Sequence, residues 1–326
     1  MKYVGRLAPS PTGALHLGNA RTFLIAWLRT RSLGGKMVFR MEDLDHPKDK
    51  PGAAADAIRD LQWLGFDWDE EYVQSERKGL YRDALASLVS RGLAYPCVCS
   101  RRDVEAAQSA PHEGEQLFYP GTCRDRFDSW REAYSYLNSS TSQLPHSSTP
   151  RSPCWRFRVA EGSRVVFDDV FAGRFEQDVS ATLGDFPLAR DEFGAGYTLA
   201  CVVDDITMGV TEVVRGDDLL AATPAQILVS RALGAEREIS YCHVPLVVGP
   251  DGKRLAKRHG DTRIAAYRAA GVRPEQVIGR LAASCGWAEE GEEISLAALL
   301  PRFDLSTIPH APYFSSHCES GILRFK

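Results

Sequence analysis

The sequence predicts an α/β fold on a parallel sheet, interrupted by an insertion, and three observations carry that prediction. The first forty residues run strand, Gly/Pro-rich loop, helix, strand, the order of a βαβ unit, whose crossover is right-handed and whose strands are parallel. Strand-like and helical runs of the same kind return after residue 185, beyond about a hundred residues of different character. The 326-residue chain is ordinary in composition, 44% hydrophobic and 25% charged, and long enough for two or three domains with their own cores.

The elements follow in order. Residues Lys2 to Leu7 suit a short buried strand. RLAPSPTGALHLGNAR, Arg6 to Arg21, is a loop feeding a helix that starts near Leu17 to Ala20 and runs to Ser32, with apolar residues at helical spacing. Gly34 and Gly35 end that helix, and Lys36 to Met41 is the second strand. Helices are expected at Lys50 to Leu64 and Lys78 to Arg91, and strands at Trp155 to Val159, Val165 to Phe167, Tyr197 to Val203 and His243 to Val248. A helix is expected at Pro224 to Leu233, and Arg263 to Leu300 is mostly helical. Between Ser139 and Pro153, six Ser, two Thr and three Pro in fifteen residues cannot bury enough apolar surface to order themselves, which predicts a mobile loop.

Net charge is −4, so any nucleic-acid binding must rest on a local basic face. No run of 18 apolar residues exists, and MKYVGRLAPS lacks an apolar signal core. Both features predict a cytoplasmic protein. Of the eight cysteines, Cys97, Cys99 and Cys123 crowd into 27 residues. Such a cluster in a cytoplasmic chain reads as metal binding before disulfide. Tetrahedral zinc needs a fourth ligand, for which Tyr119 and His112 are both candidates, His112 being the better donor on general chemistry. Cys154, Cys201, Cys242, Cys285 and Cys318 stand isolated and read as core or surface thiols.

The opening loop presents unpaired N–H groups and a positive helix end to whatever occupies it, with Gly13 and Gly18 allowing close backbone approach and His16 adding a donor. It matches neither GxxxxGK[ST] nor GxGxxG. Far along the chain, DGKRLAKRHGD at Asp251 to Asp261 puts four Lys/Arg into six residues. Together the two stretches resemble the HIGH and KMSKS signatures of class I aminoacyl-tRNA synthetases. His16-Leu17-Gly18-Asn19 stands in the HIGH position and Arg254-Leu255-Ala256-Lys257-Arg258 in the KMSKS position. RLAPSPTG, RMEDLD at Arg40 to Asp45 and VVRGDDLL at Val213 to Leu220 narrow the resemblance to the glutamyl-tRNA synthetase family, over residues 4 to about 310. Asn19 replaces the last His of HIGH. Arg254 and Ala256 replace the first Lys and the Ser of KMSKS, so the charges survive while a hydroxyl is lost.

The resemblance implies a class I, Rossmann-like parallel sheet in two halves (1–95 and 185–250), a zinc-bearing insertion (96–184) and a KMSKS loop with a small helical region (251–326). It implies adenylation, in which a glutamate carboxylate attacks the α-phosphate of ATP. Such an in-line displacement needs alignment and charge stabilisation rather than a nucleophilic side chain. It places Pro9, Thr12, Gly13, His16, Gly18, Asn19, Arg254, Leu255 and Lys257 on ATP, with His16, Lys257 and Arg254 stabilising the reacting phosphates and Mg²⁺ accompanying them. Arg6, Ala8, Ser10, Glu42, Tyr197 and Arg215 fall at glutamate-contacting positions. A guanidinium fork matches a carboxylate, so Arg6 and Arg215 suit the two acids, and Glu42 suits the ammonium group. For the metal, the resemblance implies Cys97, Cys99, Tyr119 and Cys123.

Only 68 residues follow Arg258, too few for the helical anticodon-binding region of full-length family members. That implies one of the short paralogues, which activate glutamate without tRNA and transfer it to queuosine in the anticodon loop of tRNA(Asp). Two rivals stand beside this expectation: a truncated synthetase that charges a tRNA acceptor end, and a zinc-bearing RNA-binding protein without catalysis. A monomer is the simplest expectation for the assembled state.

Overall fold

The computed structural model describes residues 2–44, 50–107, 117–139, 151–249 and 262–314. The KMSKS-like loop with Arg254, Leu255 and Lys257, His112, and most of the Ser/Pro-rich stretch lie outside the described residues.

The opening βαβ unit forms as expected. Strand β1 (Val4–Leu7) pairs in parallel with β2 (Lys36–Met41), and helix α1 (Leu17–Ser32) crosses between them. Gly34 follows α1 in the left-handed region at φ 61°, which a residue without Cβ adopts freely. Helix α2 (Ala53–Trp63) leads to β3 (Glu70–Val73), which extends the parallel ladder beside β2, and α3 (Lys78–Ser90) follows.

The middle of the chain switches to antiparallel pairing. Strands β4 (Ala94–Cys97) and β5 (Cys154–Phe157) pair with each other, with α4 (Arg101–Ala107) and α5 (Trp130–Asn138) between them in sequence. The hairpin β6 (Arg164–Asp169) and β7 (Gly173–Asp178) comes next. Then α6 (Val179–Thr182) leads to β8 (Pro187–Ala189), which joins β5.

Residues Tyr197 to Val203, expected as a strand, are instead the start of helix α7 (Tyr197–Thr207). Leu199, Ala200, Cys201, Val202 and Val203 are all buried, so the helix is covered nearly all round. A run that is apolar on every face carries no period to separate helix from strand. Strand β9 (Glu212–Gly216), helix α8 (Thr223–Ala232) and strand β10 (Ser240–Val244) complete the second parallel pair. Thr211 N donates to Val4 O at 2.9 Å, so the two ladders meet at β1 and β9. The strand expected to run through Val248 breaks after Val244, at Pro245, which has no N–H to donate, and resumes as β11 (Val247–Val248).

Between Arg263 and Leu300 the described chain carries α9 (Ile264–Ala269), α10 (Pro274–Ala283) and α11 (Leu296–Leu299), before β12 (Tyr313–Phe314) pairs with β11. This region is bolted to the opening βαβ unit by polar contacts as well as by a shared core. The fully buried Arg21 of α1 donates Nε to Ser284 Oγ (2.9 Å) and Nη1 to Pro245 O (2.8 Å), and Arg268 pairs with Asp60 at 2.9 Å. Among the described residues no helix is long and apolar enough to cross a membrane.

Candidate active site

The loop after β1, the N-terminus of α1, the end of β2, the start of α7 and the end of β9 surround one cavity of about 510 Å³. Its lining includes Arg6, Ala8, Ser10, Glu42, Tyr197 and Arg215, all six residues expected at an amino acid, and Pro9, Thr12, Gly13, His16, Gly18 and Asn19, expected at a nucleotide. The site lies at the carboxyl ends of parallel strands, where open α/β sheets bind ligands.

His16 is the N-cap of α1. Its Nδ1 accepts from Asn19 N, and Asn19 Oδ1 accepts from His16 N, both at 3.3 Å. A neutral ring that accepts at Nδ1 carries its proton on Nε2, as a donor. The Asn in the last position of the HIGH-like stretch therefore closes the capping box that orients the histidine. A Cβ at Gly18 would stand 3.1 Å from His16 Cε1, whereas one at Gly13 would meet open space. Gly18 makes room for the imidazole, and Gly13 leaves room for a ligand. The chain beyond the KMSKS-like loop returns to this point, with Leu17 N donating to Thr262 O (3.0 Å) and Ile264 N to Leu15 O (2.9 Å).

Arg6 is buried, and its Nη1 donates to Val214 O at 3.0 Å. Its Nε, 3.9 Å from Asp205 Oδ1, is a buried donor without a hydrogen-bond partner among the described residues. Leaving such a donor unpaired costs about 1–3 kcal/mol, which an anionic ligand in the cavity would recover. Arg215 donates Nε to His243 Nε2 (3.0 Å) and Nη2 to Thr223 Oγ1 (2.6 Å). Glu42 Oε1 accepts from Arg40 Nη2 (3.0 Å) and from the Cys201 thiol (3.3 Å).

Arg40 is completely buried and also meets Asp205 at 2.6 Å. Those neighbouring carboxylates hold its charge against the cost of burial. RMEDLD stands out in the sequence as a motif, but nothing in it marks this arginine as the support under Glu42. Arg40→Met strands buried carboxylates and is expected to cost about 3–5 kcal/mol in urea unfolding. A loss below about 1 kcal/mol would mean the pairing is not what holds this region.

The cysteine cluster forms a second site. Cys97, Cys99 and Cys123 place their sulfurs within 4.8 Å of one another. Tyr119 Oη lies 3.3 Å from Cys97 Sγ and 3.7 Å from Cys99 Sγ, and the two cysteines 99 and 123 are 3.5 Å apart at sulfur. Ligands of tetrahedral zinc are separated by about 3.5–3.8 Å, given Zn–S near 2.3 Å and Zn–O near 2.0 Å, so three thiols and the phenol fit such an ion. Cys123 N donates to Tyr119 Oη at 2.8 Å, as it would to a ligating phenolate oxygen. Hydrogen bonds from the Cys123, Cys154 and Cys99 thiols, helped by Arg156, hold Cys97 well below the usual thiol range. Cys154, isolated in the sequence, belongs beside this cluster, because the antiparallel register sets it opposite Cys97. Arg156, two residues on, donates Nε to Cys97 Sγ at 3.2 Å and lies over the Tyr119 ring. Sequence spacing misses both, since only the pairing of β4 with β5 brings them in.

Comparison with known proteins identifies the family. Residues 2–302 match the family of tRNA synthetases class I (E and Q), catalytic domain. A glutamyl-Q tRNA(Asp) synthetase from Symbiobacterium thermophilum is 46% identical over 321 residues, covering 94% of both chains. Another, from Deinococcus radiodurans, is 43% identical over 92% of this chain and 96% of its own. A glutamate tRNA ligase from Elizabethkingia meningosepticum, solved with its amino acid, superposes with a TM-score of 0.75 at 26% identity, over 97% of this chain and 67% of that one. Taken with a parallel sheet whose strand ends carry the HIGH-like loop, these matches mean that the chain belongs to the glutamyl-Q tRNA(Asp) synthetase family of class I synthetases.

Proposed function

We propose that the protein activates glutamate with ATP, without needing tRNA, and transfers the glutamate to queuosine in the anticodon loop of tRNA(Asp). The observation that carries this reading is the single cavity lined by two arginines, a carboxylate and the capped histidine. Arg6 and Arg215 take the two carboxylates of glutamate, Glu42 takes its ammonium group, and the Tyr197 hydroxyl completes the pocket with Ala8 and Ser10. The α1 N-terminus and His16 Nε2–H meet the ATP phosphates, with Pro9, Thr12, Gly13, Gly18 and Asn19 around the nucleotide. By their resemblance to the KMSKS signature, Arg254, Leu255 and Lys257 are assigned to ATP, the two cations balancing charge that builds on the phosphates. Mg²⁺ carried by ATP adds charge neutralisation there.

Residues 1–95 and 185–250 act as the catalytic domain, 96–184 as the insertion and 251–326 as the stem-contacting region. In the insertion, Cys97, Cys99, Cys123 and Tyr119 hold one structural zinc. Relatives matched over nearly their whole length carry the glutamyl-Q name, which supports the queuosine acceptor over an acceptor-end substrate.

Two assays test the reading. Glutamate-dependent exchange of pyrophosphate into ATP is expected without tRNA, and labelled glutamate is expected on tRNA(Asp) only when queuosine is present. Equal labelling of queuosine-lacking tRNA(Asp), or glutamate on the 3′ end of tRNA(Glu), would replace this acceptor by another.

A further inference from the structure

Behind Arg215 runs a buried chain of hydrogen bonds that the adenylation chemistry does not itself require. Asp169, the last residue of β6, lies at the turn of the β6–β7 hairpin. That turn is fastened to β10, since Val170 N donates to Tyr241 O at 2.8 Å, and Phe171 stacks on His310 with ring centroids 4.5 Å apart. Asp169 Oδ1 accepts from the backbone N–H groups of Phe171 (3.0 Å), Ala172 (2.8 Å) and His243 (3.0 Å). Its Oδ2 meets His243 Nδ1 at 2.6 Å. The side chains of both residues are fully buried.

A carboxylate only accepts, so His243 Nδ1 carries the proton. Burial keeps the ring neutral, and Nε2 is left as an acceptor. Arg215 Nε and Thr223 Oγ1 are its neighbours, at 3.0 and 3.1 Å. The opposite tautomer would point one N–H at another. Arg215 is thereby held by Nε on His243 from one side and by Nη2 on Thr223 Oγ1 and Leu219 O (3.5 Å) from the other, which leaves Nη1 for the cavity the residue lines.

We propose that Asp169 and His243 are positioning residues for glutamate: Asp169 sets the tautomer of His243, and His243 aims Arg215 at a substrate carboxylate. The inference rests on the glutamate reading of the cavity. It also gives the hairpin a role, since through one aspartate it reaches into the amino-acid pocket.

Asp169→Asn is the sharpest test because it is isosteric. Three backbone N–H groups keep the amide oxygen in the Oδ1 place, so the amide nitrogen faces His243 Nδ1 as a donor. The ring must then move its proton to Nε2, against Arg215 Nε–H. In protein labelled with ¹⁵N-histidine, long-range nitrogen–proton correlation spectra are expected to show His243 changing from the Nδ1–H to the Nε2–H form. In glutamate-dependent exchange, KM for glutamate is expected to rise about tenfold, of the order of one lost charge-assisted hydrogen bond, with kcat and KM for ATP within about twofold of the parent.

His243→Phe removes the acceptor directly and is expected to raise KM for glutamate at least as much. In that background Asp169→Asn is expected to add nothing. A flipped tautomer with unchanged KM for glutamate, or an unchanged KM in His243→Phe, overturns the relay. So does an equal rise in KM for both substrates, or full additivity in the double variant. Absence of glutamate-dependent exchange in the parent protein would instead sink the glutamate reading, so the two failures are distinguishable.

Discussion

Arg215→Ala is expected to raise KM for glutamate by two to three orders of magnitude while KM for ATP stays within about threefold. The size follows from what the side chain does. Removing one partner of a desolvated, charge-assisted carboxylate pair costs about 2–5 kcal/mol, mostly because the other charge is left without compensation. Arg215 is buried at the end of β9 and held by His243 and Thr223, so its guanidinium is preset to meet a carboxylate away from bulk water. Arg215→Lys should recover only part of the loss, because an ammonium group offers a point charge but cannot bond His243, Thr223 and a carboxylate in one plane. The measurement is steady-state pyrophosphate exchange with glutamate and ATP varied separately. Unchanged glutamate kinetics in the alanine variant would remove Arg215 from the pocket.

Cys97→Ser is the second large effect. Protein purified without chelators is expected to hold about one equivalent of zinc, and the variant to lose most of it. Structural zinc contributes directly to folding. A loss of about 4 kcal/mol would lower the melting temperature by roughly 10 °C in a chain of this size. Cys97 is the right position to test because it touches Tyr119, faces Cys154 and receives Arg156. Tyr119→Phe against His112→Ala then identifies the fourth ligand. Tyr119→Phe is expected to weaken zinc by more than about 100-fold, beyond the 10- to 100-fold typical of outer contacts of metal sites, and His112→Ala to leave it unchanged. Full zinc content in Cys97→Ser, or no zinc in the parent protein, would end this assignment.

Much of the fold and part of the site are legible in the residues. Arg6 to Asn19 is one continuous stretch, so strand end, loop, cap and histidine follow from local chemistry: a proline-rich turn, two glycines and a helix start. The cysteine cluster is nearly as local, because C-x-C and the Tyr119 to Cys123 spacing bring ligand types close along the chain. The basic run near residue 255 stands out in the sequence by its charge density and lies outside the described residues.

The tertiary structure alone decided the rest. Tyr197 to Val203 reads as a strand but folds as a helix, because burial on every face erases the period on which such a reading depends. The family resemblance groups Tyr197 with Arg6, Glu42 and Arg215, but only the meeting of two parallel ladders far apart in sequence brings the four to one cavity. Cys154 stands solitary until the β4–β5 register sets it against Cys97. Asp169 and His243 are 74 residues apart and have no shared motif. The physical reason is common to all four. Covalent spacing fixes only what a few bonds can reach, whereas a buried hydrogen bond exists only once packing has excluded water and brought its donor and acceptor together. The sequence by itself determined the chemistry available at each end of the cavity, and the packing decided which groups act together.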